Sequence, residues 1–515
     1  MSDWSDGYVT EINYSYGYFR ELSPTLQRFI LLAKGLVPPV DSGAVLELGY
    51  GQGISAVVHA AATGQPFWGT DFNPAHAANA LGLTNAAGME VNLFDQSFAE
   101  FAQRDDLPKF NYIGLHGIWS WVSDENRKHI VEIVRRSLAV GGVFYASYNT
   151  LPGWSALLPA RHLLTLHASL SGAESHGISQ RISQSIQFSE RLVTENAKYF
   201  QDYPAAANHV KKIANYDRHY LAHEYFNRDW QPMFFYDIAE WFRTAKVEFA
   251  ASAHLADHID LANLTAEAQA ALKEINHPVM REAVRDFYVN QGFRRDLFVR
   301  GQRRLIQAEQ WHQLEAMRFV LLTPVEDITF KISGFLGERS LNGQAFKPVV
   351  DAFAKESYRP RSLAEVRSEL PAAVADPELL LQVLVTLIAS NHLFPAQSEA
   401  STQRAQPSAR ALNSAILDRI HTGHNEMTVL ASPVAGCGIV VPYFQQVFLL
   451  AHRAGKVTSH EKANWVWQTL LLPYKKLVIK DGKTLSSVEE NIAYLEQEAS
   501  NFERRLPILT ALGIG

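Results

Sequence analysis

Three glycines separated by single residues follow a short apolar run in the segment from Val45 to Ile54. The order of strand, glycines and helix is typical of the first unit of a doubly wound parallel sheet, because glycine lets the chain turn tightly after a buried strand. Gly49, Gly51 and Gly53 also let a ligand approach the backbone closely. The segment therefore predicts an α/β fold with a nucleoside-like ligand in the crevice beyond this strand.

The chain from residue 44 to residue 148 alternates short apolar runs with helix-forming stretches, which predicts a Rossmann-like sheet. We expect strands at 44–48, 67–70, 89–94, 110–115 and 142–148. Residues 157–170 and 178–200 then follow a helical period. Strand-like runs return at 247–252 and 295–300, and we expect them to complete the same sheet.

These patterns predict four units in the 515 residues. The sheet domain is predicted to be discontinuous, comprising 1–154 and 231–302 around a helical insertion at 155–230. A separate α+β domain that begins after residue 160 is the alternative. Residues 303–395 contain several short capped helices and predict a winged-helix-like module. The polar segment 396–411 is predicted to be a linker, and 412–515 a C-terminal helical module.

The overall charge and the cysteine content restrict the partners and the compartment. With 47 basic and 53 acidic residues the formal charge is -6, which provides no general attraction for nucleic acid. Cys437 is the single cysteine, so an intramolecular disulfide and a cysteine-based zinc site are excluded. The most apolar run, 438–451, is shorter than the about 20 residues of a membrane span. We expect a cytoplasmic protein without an export signal, a nucleic-acid partner or membrane insertion.

Acidic side chains near the glycines indicate which nucleoside is bound. Asp71 and Phe72 follow the second strand, where a carboxylate can accept hydrogen bonds from both ribose hydroxyls. Glu47 would repel a pyrophosphate but suits a cationic amino acid group, and the spacing is not the G-x-G-x-x-G of dinucleotide sites. Asp95 can accept the adenine amino group, with Phe94 beside the ring. Together these features favour S-adenosyl-L-methionine (SAM), with NAD(P) or an empty pocket as alternatives.

Four further segments, together with the glycines, carry a resemblance to a known family. They are His116-Gly-Ile-Trp-Ser-Trp-Val122, Tyr148-Asn-Thr-Leu-Pro-Gly-Trp154, Tyr220-Leu-Ala-His-Glu-Tyr225 and Phe293-Arg-Arg-Asp-Leu-Phe-Val-Arg-Gly301. Over roughly residues 10 to 330 the chain resembles bacterial class I methyltransferases that carry a methyltransferase regulatory domain. That group includes rickettsial protein-lysine methyltransferases that act on an outer-membrane protein. The resemblance implies methyl transfer from SAM, with lysine side chains of proteins as one class of acceptor.

Methyl transfer depends mainly on proximity and orientation in a dry pocket, so few reactive side chains are needed. The candidates for the acceptor side are His116, Trp119 and Trp121 after the fourth strand, Tyr148 and Asn149 after the fifth, and Tyr14, Tyr16 and Tyr18 on an N-terminal lid. His116 is also counted with the cofactor-binding residues. Each has a structural alternative: the tryptophans as core, the histidine as a buried structural residue, and the tyrosines at 14–18 as an edge strand.

The remaining candidates concern metals and partners. His219 and His223 lie one helical turn apart beside Glu224, but no third ligand follows at a suitable spacing, so we expect no metal site. Packing or a subunit contact is the expected role of the segment 220–225. The long helices of 155–225 are consistent with a homodimer.

Three acceptor or activity classes stay open from the sequence. A protein or peptide is the favoured acceptor, and a glycan, a lipid headgroup or a small molecule is the alternative. A SAM-binding regulatory protein without transfer activity is a further alternative.

Overall fold

An eight-stranded sheet organises the first part of the computed structural model, which describes residues 17–171, 177–422, 427–474 and 476–515. The strands are β1 (Ala44–Leu48), β2 (Phe67–Thr70), β3 (Asn92–Phe94), β4 (Phe110–Leu115), β5 (Leu138–Leu151), β6 (Met233–Phe234), β7 (Val247–Ser252) and β8 (Phe293–Arg300). Their order is β3-β2-β1-β4-β5-β8-β7, with the short β6 on the end of β5. Neighbours from β3 to β5 are parallel, whereas β8 is antiparallel to both β5 and β7.

This order confirms the predicted α/β class, because it is the doubly wound sheet that alternating strands and helices produce. The strands predicted at 247–252 and 295–300 lie in the same sheet as β1 to β5, as the discontinuous domain requires. The third strand is shorter than predicted at its beginning, and β5 is longer than predicted at both ends.

Helices fill the connections of the sheet and form the insertion. The first five are α1 (Pro24–Ala33), α2 (Ile54–Thr63), α3 (Pro74–Ala86), α4 (Phe98–Ala102) and α5 (Asp124–Ser137). The insertion consists of α6 (Leu158–Leu170), α7 (Ile178–Thr194), α8 (Lys198–Asp202), α9 (Pro204–Ile213) and α10 (Arg218–Tyr225), which enclose two small apolar clusters of their own. Between β6 and β8 lie α11 (Phe235–Arg243), α12 (Asp260–Asn263), α13 (Ala266–Glu274) and α14 (Pro278–Val289).

The two faces of the sheet belong to two separate cores. One core contains side chains of α1 and α2 and continues into the last third of the chain. The other contains side chains of α5 and α11. Side chains alternate along a strand, so Tyr145 of β5 belongs to the first core, whereas Phe144 and Tyr148 belong to the second.

The region from 303 to 396 combines a small sheet with short helices. Its elements are α15 (Gln307–Ala316), β9 (Arg318–Leu321), β10 (Lys331–Gly334), β11 (Gly337–Ser340), α16 (Gly343–Tyr358), β12 (Arg361–Ser362), α17 (Leu363–Arg367), α18 (Pro377–Ala389) and β13 (Leu393–Ala396). The strands β12, β9 and β13 form an antiparallel sheet, and β10 and β11 form a separate hairpin. Four helices beside a three-stranded sheet are compatible with the predicted winged-helix-like module.

The last region is mainly helical and also contains two hairpins. Its elements are α19 (Glu399–Asp418), β14 (Val429–Ser432), β15 (Cys437–Val440), α20 (Tyr443–Arg453), α21 (Ser459–Val466), β16 (Ile479–Lys480), β17 (Lys483–Thr484) and α22 (Val488–Ala511). Cys437 is a buried free thiol, and burial raises its pKa to about 12. Across the described ranges, the helices are too short or too polar to traverse a lipid bilayer.

The prediction of a linker at 396–411 is wrong, because α19 occupies most of this segment. Its buried side chains Ala405, Ala409, Leu412 and Ile416 recur every three or four residues, so small alanines supply part of the apolar stripe of this helix. Alanine and serine carry little hydrophobic signal in a sequence, and Pro407 interrupts the pattern further.

The helix α19 packs against α2 and thereby joins the C-terminal region to the sheet domain. All ten residues of α2 are buried, as expected for a helix that is apolar on every side. The last carbonyl groups of a helix lack partners within the helix. Here Ser408 Oγ donates to Ala61 O at 2.9 Å, and Gln397 Nε2 donates to Ala62 O at 2.8 Å. The C-terminal region is therefore part of the same packed body as the sheet.

Candidate functional site

A cavity lies at the carboxyl ends of β1, β2 and β4, where Gly49, Asp71 and His116 follow the three strands. Its volume is about 1200 Å³, including the part that is open to solvent. The predicted cofactor-binding residues that line it are Glu47, Gly49, Gly51, Asp71, Phe72 and His116. In a doubly wound sheet this crevice is the usual ligand site, since the connections on either side of it diverge.

At two positions of the glycine loop, neighbouring side chains lie too close to the backbone for any residue other than glycine. Gly49 and Gly53 have φ angles of 69° and 79°, a region that other residues rarely adopt. A Cβ atom on Gly49 would lie 2.6 Å from Ile118 Cδ1, and one on Gly53 would lie 2.4 Å from the Cβ atom of Ala80 on α3. Gly53 does not line the cavity, so its contribution is the packing of α2 against α3.

Asp71 fixes the loop from the end of β2. Its Oδ2 accepts a hydrogen bond from Gly51 N at 2.9 Å, and its Oδ1 accepts one from Asn73 N at 3.0 Å. His76 Nδ1 lies 3.0 Å from the same Oδ1. The carboxylate therefore sets the conformation of the glycine loop and the start of α3 while it still lines the cavity.

Glu47 is the second acidic group of the cavity. Burial raises the pKa of Glu47 to about 8, and the negative charge of Asp71 makes a smaller contribution in the same direction. Its carboxyl group makes no hydrogen bond within the described residues. A buried polar group without a partner is costly, so the geometry favours a ligand with a cationic group at this position.

The segment after β3 reaches the cavity with different residues from those predicted. Gln96, Ser97 and Phe98 line it, whereas Phe94 and Asp95 do not. The Phe94 ring packs against Trp68, with centroids 5.8 Å apart, on the other side of the segment. Asp95 is exposed, although its charge is close enough to contribute to the raised pKa of Tyr50. The Phe94 ring is partly buried against the second core, so its predicted contact with the ligand stays a prediction that the cavity lining does not support.

His116 is held between two aromatic rings. Its ring stacks on Phe19 with centroids 3.6 Å apart, and its Nδ1 lies 2.7 Å from the Tyr145 hydroxyl. Burial lowers the pKa of His116 to about 3, so the ring is neutral at physiological pH and is a poor proton acceptor. This arrangement makes His116 part of the cavity lining and does not favour its predicted role as a base.

Two of the predicted acceptor-side residues lie in the core. Trp119 is fully buried against Phe242, with ring centroids 4.6 Å apart, and does not line the cavity. Tyr148 is also fully buried and donates a hydrogen bond to Asp296. Both predictions are wrong because these side chains point to the face of the sheet that packs on α5 and α11. Trp121, the other tryptophan predicted after the fourth strand, does line the cavity.

The other acceptor-side predictions have mixed outcomes. Asn149 lines a second cavity, described below. Tyr14 and Tyr16 lie outside the described residues. Tyr18, from the predicted lid, accepts a hydrogen bond from Gly438 N at 2.6 Å and is half-buried against the C-terminal region. Its neighbours Gly17 and Phe19 line the cavity in its place.

A second cavity of about 1960 Å³, which includes open solvent, adjoins the first. The two cavities share five lining residues, which are Gly17, Phe19, His116, Gly117 and Trp121. The second cavity also contains residues of α10, of β8 and of the β10–β11 hairpin. A ligand in the first cavity and a ligand in the second would therefore meet at His116 and Trp121.

Three residues of the segment 220–225 line this second cavity, namely Tyr220, Glu224 and Tyr225. The sequence predicts only packing or a subunit contact for this segment. The histidine and the acid near one another on α10 were the available signal, but they were considered only as metal ligands, and that interpretation was set aside for packing or a subunit contact. Among the described residues there is no group of three or more side chains that could hold a metal ion.

Comparison with known proteins agrees with this architecture. The chain is 38% identical to the uncharacterized protein sll1526 of Synechocystis, and the alignment covers 99% of both chains. The chain belongs to the same family as sll1526. Residues 217–300 match the family described as a predicted methyltransferase regulatory domain. This chain and sll1526 are thus related over nearly their whole length, including the C-terminal region.

The rickettsial resemblance is also confirmed. The chain is 28% identical to the uncharacterized protein RP789 of Rickettsia prowazekii, over 50% of this chain and 46% of that one. The structure of PKMT2 from Rickettsia typhi in complex with AdoHcy superposes with a TM-score of 0.70 and 20% identity, covering 98% of this chain and 100% of that chain. The chain therefore shares the fold of this rickettsial protein along its full length.

Proposed function

We propose that this chain is a SAM-dependent methyltransferase that methylates an amine, with lysine side chains of a protein as the acceptor class. The observation that carries the proposal is the pair of cavities that meet at His116 and Trp121. One of them has the glycine loop and acidic groups of a nucleoside site, and the other has room for a separate acceptor. The fold shared with PKMT2, whose structure contains AdoHcy, supports the same conclusion.

The first cavity fits SAM at both ends of the molecule. Asp71 can accept hydrogen bonds from the ribose hydroxyls while it holds Gly51 N. Glu47, which has no hydrogen-bond partner among the described residues, suits the cationic amino group of the methionine part. SAM supplies an electrophilic methyl group on a sulfonium when it is bound.

The protein contributes mainly by orientation and by excluding water. Phe19, which stacks on His116, lies at the junction between the cavities. Its backbone is fixed, because Phe19 N donates to Ser55 Oγ at 2.9 Å and its carbonyl oxygen lies 3.2 Å from His59 Nε2. Because its backbone is fixed, Phe19 covers the junction between the cavities, which keeps the path of the methyl group short and excludes water from it.

The proposed function is tested by titrating the protein with SAM in a calorimeter and by incubating it with SAM that carries a labelled methyl group. We expect stoichiometric binding and label on lysine residues of proteins in a bacterial extract, identified by mass spectrometry. Absence of SAM binding would contradict the proposal. Binding without transfer would favour a regulatory role, and label on a glycan, lipid or small molecule would change the acceptor.

A second measurement follows from the raised pKa of Glu47. At pH 7 this carboxyl group is mostly protonated, because its pKa in the free protein is about 8. A cationic amino group beside it favours the ionised form, so SAM binding should release close to one proton. The binding enthalpy at pH 7 is then expected to differ between phosphate and Tris buffers, whose ionisation enthalpies differ. The difference should disappear in Glu47→Gln, and equal enthalpies for the wild type would contradict the contact.

A cytoplasmic location and a homodimer remain predictions from the sequence, as does the absence of a nucleic-acid partner.

A further inference from the structure

The second cavity is lined by an acidic side chain that has no hydrogen-bond partner among the described residues. Glu224 of α10 lies in its wall, and its carboxyl group makes no hydrogen bond within the described residues. Burial raises the pKa of Glu224 to about 7. Its charge also contributes to the raised pKa of Tyr220, about 12, so the carboxylate lies close to that ring.

Aromatic side chains are frequent in the lining of the cavity that contains Glu224. Trp154, Tyr220, Tyr225 and Phe335 line the same cavity, and the rings of Trp154 and Tyr225 are 6.2 Å apart. The faces of aromatic rings attract ammonium groups, and Tyr and Trp do so more strongly than Phe. The surroundings of Glu224 therefore suit an alkylammonium group better than a neutral or anionic acceptor.

The other titratable groups of the cavity add to this preference. Burial alone would raise the pKa of Glu21, but His254, Arg295 and Arg20 lower it to about 2, so Glu21 stays ionised. Arg295 Nε lies 3.6 Å from Glu21 Oε1, which compensates the charge of this arginine. Asp257 also lines the cavity and adds a further acidic group, and His116 is neutral because desolvation lowers its pKa to about 3.

We propose that Glu224 is the catalytic base that takes a proton from the ammonium group of the acceptor in this cavity. This inference depends on the proposed methyltransferase function. The ammonium gives one proton to the carboxylate of Glu224 and becomes a neutral amine. The nitrogen lone pair then forms a bond to the methyl carbon as the carbon–sulfur bond breaks and its electron pair goes to sulfur. The products are a methylated ammonium, S-adenosylhomocysteine and a protonated Glu224, which returns its proton to solvent.

The test compares Glu224→Gln with the wild type, using labelled SAM and poly-L-lysine as the acceptor. Glutamine keeps the size of the side chain but cannot take a proton, so we expect the rate at pH 7 to fall by about 10²–10⁴-fold. The affinity for SAM should not change. The wild-type rate should rise with pH through about 7 and then level off. The rate of the variant should keep rising towards the lysine pKa of about 10.4.

Glu195→Gln is the matched control, since Glu195 is an exposed residue of the same insertion, paired with Arg191 at the surface. Its rate and pH profile should equal those of the wild type. An active wild type with an unchanged Glu224→Gln profile would overturn the base and leave the methyltransferase function intact. Loss of SAM binding or of transfer by the wild type would instead contradict the proposed function.

A binding measurement covers the case in which poly-L-lysine is not methylated. In the presence of S-adenosylhomocysteine at pH 8, the wild type should bind n-butylamine, detected by the fluorescence of Trp154 and other tryptophans near the cavity. Glu224→Gln should bind it at least tenfold more weakly. Equal binding by the two proteins, or none by the wild type, would overturn the assignment.

Discussion

Replacing Arg294 with methionine is expected to lower the free energy of unfolding by about 3–5 kcal/mol, because the change leaves buried carboxylates without their cation. Arg294 of β8 contacts three acidic residues. Its Nε lies 2.8 Å from Asp296 Oδ2, its Nη1 lies 2.5 Å from Asp286 Oδ1, and its Nη2 lies 3.1 Å from Glu282 Oε2. The side chains of Arg294, Asp286 and Asp296 are each at most 5% exposed.

The single positive charge of Arg294 therefore compensates three acidic side chains in a buried environment. Burial raises the pKa of Asp286 to about 7 even beside the arginine, and it also raises the pKa of Asp296. Without Arg294, the carboxyl groups of Asp286 and Asp296 would stay protonated and neutral at pH 5. At pH 8 the folded protein would either carry buried negative charges or keep these groups protonated, and both states cost free energy of folding. The destabilisation should therefore be larger at pH 8 than at pH 5.

Denaturant unfolding of Arg294→Met measures this loss, and Arg243→Met is the control. Arg243 also pairs with a glutamate, at 2.7 Å from Glu240, but its side chain is 71% exposed. Exposed ion pairs contribute about 0–1 kcal/mol, so the control should unfold almost like the wild type. Similar losses in both variants would show that the buried network does not hold α14 against the sheet.

The second large effect is expected for Asp71→Asn, which should weaken SAM binding by about 100-fold or more. Both carboxylate oxygens of Asp71 accept hydrogen bonds from backbone N–H groups, one from Gly51 and one from Asn73. An asparagine must direct its NH₂ group at one of these donors, so the glycine loop or the start of α3 loses its fixed position. Charge-assisted hydrogen bonds contribute about 1.5–3 kcal/mol each, and about 1.4 kcal/mol corresponds to a tenfold change in affinity.

Calorimetric titration with SAM measures this loss, and Asp106→Asn is the control. Asp106 belongs to the same domain, but it is 60% exposed and pairs with Arg104 away from the cavity. Its affinity for SAM should stay within a factor of two of the wild type. Unchanged binding by Asp71→Asn would contradict both the role of the loop and the position of the ribose.

The cofactor side of the site was largely predictable because it is built from consecutive residues. A strand, a glycine turn and a helix lie within ten residues, and the next strand places Asp71 beside them. The residues after β3 and on β5 were not predictable in the same way, because the face to which a side chain points depends on the packing of the sheet. Tyr145 and Tyr148 are three residues apart on one strand, so they face opposite sides of the sheet, and only the first contacts His116.

The C-terminal region was harder to predict for a reason of composition. The alanines of α19 are small and weakly apolar, so their spacing was hidden among polar neighbours and the segment resembled a linker. Only the structure shows that these alanines are buried, because they pack against α2. Small residues are favoured at such a contact because they allow two helices to approach closely.

The sequence by itself determined the α/β class, the glycine loop, Glu47 and Asp71, because period, turn chemistry and short spacing act locally along the chain. Only the tertiary structure decided the proposed acceptor side of the site. Its cavity combines Phe19, His116, Glu224, Arg295 and Phe335, which more than 300 residues of chain separate from first to last. Contacts of this kind depend on how whole elements pack, and packing faces are set by partners that a linear pattern does not contain.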